Sequence, residues 1–522
     1  MPDTLSLLKT RLAEVADLNY AAAVLEWDQE TYMPPGAAES RAQQVATLRR
    51  LGHERFTADE VGGWLDRLNP SPEEEQALVR VTQRDYARAT LLPSAWVSAM
   101  AEAKGRALEA WKTAREANDF AHFAPHLQRI VDLNREKAER LRPLLADERG
   151  NTYAPTEADA LYDALLDEYE PGAHTTEVAA VFADLQRHLV PLVEAIAAQP
   201  QLDDRLVHRA YDEDAQWAFG MQVAEALGYD LRHGRQDRSA HPFTTSFGIR
   251  DVRITTRLDP QFFNPAFFGT IHEVGHALYE QGIDPALDRT PLADGTSLGM
   301  HESQSRLWEN LVGRSRAFWM HWFPQAQRHF PGALAGAKAE AFYRAVNRVE
   351  PSLIRVEADE LTYHLHVLLR FEIERALIAE TLAVADVPEA WNAKMEAYLG
   401  CTPASDADGC LQDIHWALGA LGYFPTYTLG TLMSTQLFEA AERDLGDLNE
   451  AFAEGTYRPL LDWLRTHVHR WGRMRSANEI LRDVMGGGLD AAPWLAYAKA
   501  KFGALYGLGL EAEGSKPQAH SF

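Results

Sequence analysis

His272 and His276 stand four residues apart in the stretch NPAFFGTIHEVGHALYEQG, with Glu273 beside the first of them. On a helix this spacing brings the two imidazoles within about 40° of each other, so one metal ion can meet both. Glu273 then projects about 100° round from His272, near enough to touch a water on the ion without ligating it. The bare pattern arises by accident in on the order of one such chain in twenty, so its surroundings must carry the reading. Asn264 followed by Pro265 reads as an N-cap with proline in the first turn, and Gly282 with Pro285 beyond it reads as a stop. Phe268, Ile271, Gly275 and Leu278 supply the apolar stripe that would bury such a helix.

A catalytic ion of this kind takes three protein ligands and keeps one position for water. The metzincin continuation is excluded, because Tyr279 and Gly282 stand where it requires glycine and histidine. The third ligand is expected from LGMHESQSRLWENL, residues 298 to 311. There Glu302, among Ser303, Gln304 and Ser305, is favoured over Glu309, whose neighbours Leu307, Trp308 and Leu311 suggest a packed face with a solvated edge. His301 is a rival on the same segment, although three histidines with Glu302 would close the site. The chemistry expected is attack on an amide carbonyl by a metal-activated water, with Glu273 as general base. A carboxypeptidase further needs a fixed cation for the substrate's terminal carboxylate, preferably a bidentate arginine.

The elements that must position these groups are mostly helical. Residues 4 to about 230 repeat Leu, Ala and Val at three- and four-residue spacing. Breaks fall at Pro34-Pro35-Gly36, Asn69-Pro70-Ser71-Pro72, Leu92-Pro93 and Pro171-Gly172. The period changes to that of strands at SAHPFTTSFGIRDVRITTRLDP, residues 239 to 260, predicting a small hairpin or sheet with Phe247-Gly248 near its turn. Helices then resume almost to the end. The reading is a mainly α, single multi-helix unit with a small β-sheet next to the HExxH helix. It divides into an N-terminal helical part (1–235), a catalytic part (236–510) and a tail (511–522).

A formal net charge of -25 over 522 residues makes nucleic acid and anionic membrane poor partners. The two cysteines, Cys401 and Cys410, form neither a CxxC pair nor a disulfide framework, which suits a reducing cytoplasm. The first thirty residues lack the basic start and apolar core of a signal peptide. No apolar run approaches membrane-spanning length. A soluble, cytoplasmic protein is expected.

Blocks spread along the chain resemble the carboxypeptidase Taq family of HExxH metallocarboxypeptidases. They are LEWDQETYMPPGA at 25–37, DVRIT at 251–255, HEVGH at 272–276, HESQ at 301–304, IRVEAD at 354–359, GCLQDIHW at 409–416 and the C-terminal LRDVMGGGLD. The resemblance implies zinc, with cobalt able to replace it, on His272, His276 and Glu302, and Glu273 as general base and acid. It implies removal of single residues from peptide C-termini with broad specificity. It also implies an elongated fold with a deep active-site groove, assembled as a homodimer.

Under the resemblance, Arg355 becomes the carboxylate clamp. Read alone, Arg355 and Asp359 are an i, i+4 ion pair on a helix running from about Pro351 to Glu380. Arg253 is either a second carboxylate contact or the partner of a structural acid. Gln412 and His415 are placed at the start of a helix after the Gly409 loop, where they could bind substrate, and His415 could donate to the oxyanion. Tyr423 and Tyr427 flank Pro425, and either hydroxyl could assist the tetrahedral intermediate, unless both simply pack. His364, His366, His467 and His469 are unsuitably spaced for a helical metal pair and read as structural. An oligopeptidase cutting internal bonds, or a non-catalytic metal-binding scaffold, are the competing readings.

Overall fold

A computed structural model gives the fold of residues 3–145 and 154–509; the expected tail at 511–522 lies outside these described residues. The architecture is mainly α with one small sheet, as the periodicities predict. The chain forms two compact units, each drawing on three segments. One contains Met1–Pro93, Arg205–Val346 and Leu437–Gly488; the other contains Ser94–Asp204, Asn347–Gln436 and the chain from Leu489 onward.

In the first unit the sheet has the order β1-β3-β2, from β1 (Gln236–Arg238), β2 (Thr244–Ser246) and β3 (Val252–Thr256). β1 runs parallel to β3, and β2 antiparallel to it. The β2–β3 turn closes where Phe247-Gly248 predicts it. The Phe247 N–H donates to the Asp251 carbonyl, and Gly248 takes a φ of 120° that a side chain would resist.

The HExxH helix spans Phe263–Glu280 and packs on β3, on the Glu213–Leu227 helix and on the Leu298–Arg306 helix. It starts two residues earlier than the sequence suggests. Asn264 is inside the first turn and caps nothing, while the Phe263 N–H is satisfied by the Val207 carbonyl. Phe263, Phe267, Phe219, Trp319, Phe330 and Phe342 form an aromatic core around that end, with centroid separations of 4.6 to 6.3 Å. Burying this many rings there fixes the helix more firmly than any cap would. Gly282 is no left-handed stop either. It is small because the His469 ring occupies the space, and a Cβ would lie 2.5 Å from its Nδ1.

The Leu298–Arg306 helix begins with Ser297 accepting the Met300 N–H at 3.0 Å. At Leu307 it widens into a π-helix through Val312. A distant segment of the same unit braces it. His469 Nε2 pairs with Gln304 Oε1 at 2.8 Å, 165 residues away, and Thr296 Oγ1 donates to the Arg475 carbonyl. Gly472 passes so close to the Leu292 carbonyl that a Cβ would sit 2.1 Å from its oxygen.

The second unit packs the Ser94–Ala117, Phe120–Leu141, Glu157–Leu166, Thr175–Ala197 and Tyr363–Ile378 helices around Tyr162, Phe182 and Phe371. Buried Glu374 ties that core to the 401–424 segment, accepting from the Tyr162 hydroxyl, the Trp416 indole and the Gly422 N–H. No described helix is long and apolar enough to cross a membrane.

Candidate metal centre and arginine cluster

His272, His276 and Glu302 come together in the first unit. One ligand atom from each lies within 4.8 Å of the others, a spacing that could hold an ion. Both Nε2 atoms face the same carboxylate oxygen, Glu302 Oε2, at 3.6 Å from His272 and 3.5 Å from His276. Two histidines on one helix cannot meet an acid on another unless the backbones approach closely. Gly275, between the histidines, permits it: a Cβ there would lie 2.5 Å from Ser305 Cα and 2.6 Å from the Gln304 carbonyl oxygen.

The opposite edge of each imidazole is also held. His272 Nδ1 lies 3.0 Å from Glu309 Oε2, and that carboxylate is gripped by Arg306 and Arg314. A carboxylate can only accept, so the proton sits on Nδ1 and the Nε2 lone pair faces Glu302. Glu309, expected at a solvated edge, is buried and aims the first histidine. Its flanking Leu307, Trp308 and Leu311 are core, and the π-turn carries the acid inward with them. His276 Nδ1 meets His301 Nδ1 at 2.6 Å, and His301 Nε2 lies 2.7 Å from Glu280 Oε1. His301 thus stands behind His276 rather than in the cluster with Glu302.

The electrostatics call for a cation. Burial would raise the Glu302 carboxyl, but Arg306 and His272 outweigh it and hold it well below the usual range. Burial likewise opposes ionisation of Glu309, yet Arg306 and His272 bring it down to about 2. Burial alone would depress His272, but the charges of Glu302 and Glu309 raise it. A proton is drawn to the place where a divalent ion would satisfy the same two acids. His276 is pushed down to about 3, chiefly by burial, and stays neutral as a ligand must. Donor types, convergence and tautomers therefore fit a metal ion.

Glu273 is buried beside His272 and is raised above the ordinary carboxyl value, burial being the leading cause. Thr244 on β2 donates its hydroxyl to Glu273 Oε2 at 2.6 Å, fixing the carboxylate that the helix presents. The sequence gives no sign of this contact beyond Thr244 lying in a strand. Register settles where Arg253 lies. Thr244 pairs with Ile254 and Thr245 with Arg253, so Thr244 and Arg253 face opposite sides of the sheet. Arg253 places Nε and Nη2 on Asp251, each at 2.8 Å, and its guanidinium lies 4.4 Å from the Trp27 ring centroid and 4.8 Å from that of Phe247. Trp27 comes from the LEWDQE block.

Arg355, Gln412, His415, Tyr423 and Tyr427 gather in the second unit. Arg355 stands in a short 3-10 turn, and the helix expected from Pro351 begins only at Tyr363. Asp359 consequently does not pair with Arg355; it caps the turn, accepting from the Leu361 and Thr362 N–H groups at 2.9 and 3.0 Å. The partner of Arg355 is Asp413, at 3.1 Å from Nε and 2.7 Å from Nη2, with Tyr363 Oη on Nη1 at 2.7 Å. Asp413 also accepts from Arg370, which is wholly buried. Burial would raise the Asp413 carboxyl, but the two guanidiniums hold it far below its ordinary range.

Residues 401–424 form turns rather than the expected helix. Gln412 is the brace that holds them. Its Oε1 accepts from the Arg355 N–H and from Arg370 Nη2, both at 2.8 Å, and its Nε2 donates to the Leu353, Asp408 and Gly409 carbonyls. His415 Nε2 lies 3.3 Å from the Tyr427 hydroxyl, and burial lowers its imidazole to about 4. Tyr423 and Tyr427 meet edge to face at 5.4 Å, with Tyr423 against Tyr169 and Tyr427 against Tyr363. Asp413 and Arg370 were not singled out from the sequence. The available signal was an acid inside the GCLQDIHW block.

Comparison with known proteins gives the family. The model of the carboxypeptidase Taq (M32) metallopeptidases matches residues 7–502. Thermostable carboxypeptidase 1 of Thermus thermophilus is 44% identical over 501 residues, covering 95% of this chain and 97% of that protein. Carboxypeptidase 1 of Bacillus subtilis is 35% identical over 500 residues, with 95% and 97% covered. Among solved structures, an M32 carboxypeptidase from Deinococcus radiodurans R1 is similar with a TM-score of 0.92 at 43% identity, covering 97% of this chain and all of that one. With its HExxH helix, its partner glutamate and its matched length, the chain belongs to the carboxypeptidase Taq (M32) family of metallocarboxypeptidases.

Proposed function

We propose that this carboxypeptidase releases single residues from the C-termini of peptides, using one zinc ion held by His272, His276 and Glu302. The observation that carries the reading is the convergence of both Nε2 atoms on Glu302 Oε2, with buried Glu273 alongside. When bound, the ion supplies Lewis acidity to the scissile carbonyl and acidifies the attacking water. Cobalt is expected to replace it.

Glu273 takes the proton from that water and returns it to the leaving amine. Thr244 keeps Oε2 in place for both transfers. Burial makes the carboxyl readier to hold the proton between the two steps. Arg355 binds the terminal carboxylate. Arg355, Arg370 and Asp413 together carry one excess positive charge in a buried setting, which a substrate carboxylate neutralises. Among the described residues, three of the five Arg355 N–H donors are engaged; one remains on each Nη, enough for a bidentate grip. Gln412 sets the height of the Arg355 backbone, and His415, Tyr423 and Tyr427 cluster together, with neutral His415 and the tyrosine hydroxyls as donors to the oxyanion. Arg253, which Asp251 and Trp27 hold on the sheet face opposite Thr244, is better read as the partner of a structural acid than as a second contact for the peptide.

The unpaired Cys401 and Cys410 support a cytoplasmic setting, and the family likeness supports a homodimer. Metal analysis together with mass spectrometry of products from a set of synthetic peptides tests the proposal. One equivalent of zinc and a ladder of single-residue losses from the C-terminus are expected. Fragments from internal cuts would instead establish an oligopeptidase.

A further inference from the structure

The two histidine ligands are backed differently. Glu309 reaches His272 Nδ1 directly, whereas a second imidazole stands between His276 and its acid. Glu280 is buried, and its carboxylate only accepts, so the 2.7 Å contact places a proton on His301 Nε2. With its proton on Nε2, the ring turns Nδ1 toward His276 as an acceptor. If His276 Nε2, which faces Glu302, serves the ion, the His276 proton lies on Nδ1, and His301 Nδ1 at 2.6 Å is the atom placed to accept it.

The His301 ring is fitted rather than loosely placed. Its centroid lies 5.2 Å from that of Tyr279, whose hydroxyl accepts the Thr296 N–H, and 4.7 Å from the His276 ring. Gly295 passes its edge, where a Cβ would be 2.6 Å from His301 Cδ2. The flanking turn therefore packs closely against this edge of the imidazole.

We infer that His301, anchored by Glu280, is a positioning residue that selects the metal-binding tautomer of His276 and so sets the affinity for the ion. This rests on the reading of His272, His276 and Glu302 as ligands. The chain metal–His276–His301–Glu280 is longer by one ring than the usual carboxylate–histidine arrangement. Its specific requirement at position 301 is an acceptor facing His276.

The test is zinc affinity, measured by chelator competition on purified enzyme, with the cobalt absorption spectrum as a second readout. His301→Phe keeps a ring and removes the acceptor; His301→Gln supplies an amide oxygen. His301→Phe should weaken zinc about 10–100-fold, as loss of an orienting partner generally does, and alter the cobalt spectrum. His301→Gln should recover most of the affinity. Thermal unfolding of the metal-free proteins checks that both variants fold. If His301→Phe does not fold, Gly295→Ala, which displaces the ring without removing a polar atom, should show the same weakening. Parental affinity in His301→Phe or Gly295→Ala, or equal losses in the Phe and Gln variants, would overturn the inference. Wild-type enzyme without stoichiometric zinc would overturn the ligand assignment along with it.

Discussion

Gly275→Ala offers the sharpest perturbation of the metal centre, because it adds one methyl group and removes no polar atom. The new Cβ would lie 2.5 Å from Ser305 Cα and 2.6 Å from the Gln304 carbonyl oxygen. Carbon atoms pack best at about 3.5–4.0 Å, so the two helices must part by roughly 1 Å. The obstructing atoms are backbone, and no rotamer change relieves them. Alanine gains about 1 kcal/mol over glycine in a helix, whereas overpacking costs about 1–3 kcal/mol. Stability therefore falls only modestly, by roughly 0–2 kcal/mol.

The effect on the ion is larger. Metal–ligand distances tolerate about 0.2 Å, so a shift near 1 Å removes Glu302 from the coordination that both histidines still offer. Zinc affinity should drop by more than the roughly 10–100-fold typical of losing an outer hydrogen bond. Chelator competition and thermal unfolding of the metal-free variant measure the two quantities separately. A Gly275→Ala enzyme that binds zinc as tightly as the parent would refute the idea that this glycine sets the helix separation the site needs.

Other outcomes follow from the same geometry. Glu273→Gln should keep the metal while hydrolysis falls by about 10²–10⁴-fold or more, measured by metal content and turnover on one preparation. Thr244→Val should leave zinc binding intact and lower kcat/KM about tenfold or more, since the lost bond is to a charged group. Arg355→Ala should abolish release from peptides with a free C-terminus, while amidated peptides remain uncut by parent and variant alike. Cleavage of the amidated peptide by the parent at a comparable rate would refute the clamp. Asp413, held far below its ordinary range, contributes stability that is full above about pH 4 and is lost as pH falls below it. Asp413→Asn should flatten the pH dependence of urea unfolding in that acid range, whatever its effect on the plateau.

Local period and composition reach as far as the elements they describe. The HExxH helix, the β2–β3 turn and the meeting of Glu302 with the two histidines are legible because their signals lie within a few residues of one another. Asn264 misleads because the aromatic core around Phe263 overrides capping preference at that end. Glu309 is hidden by its apolar neighbours: a buried acid beside Trp308 has the same sequence pattern as a solvated one. The Arg355–Asp359 spacing suggests an ion pair only if a helix runs through it, and Asp359 instead caps a turn before Tyr363. The true partner, Asp413, is 58 residues away, beyond any spacing rule. The three-segment make-up of each unit likewise has no local mark.

The brace from His469, Gly472 and Arg475 to the segment carrying Glu302 has a consequence for synthesis. A nascent chain has made all three proposed ligands by residue 302, yet the group that steadies Gln304 lies 165 residues beyond it. At about 5–20 residues per second the ribosome needs roughly 10 to 30 s to bridge that gap. During that interval the histidines and the glutamate are present without the His469 bond to Gln304. The brace on Gln304 is thus completed only when the last segment of the first unit emerges.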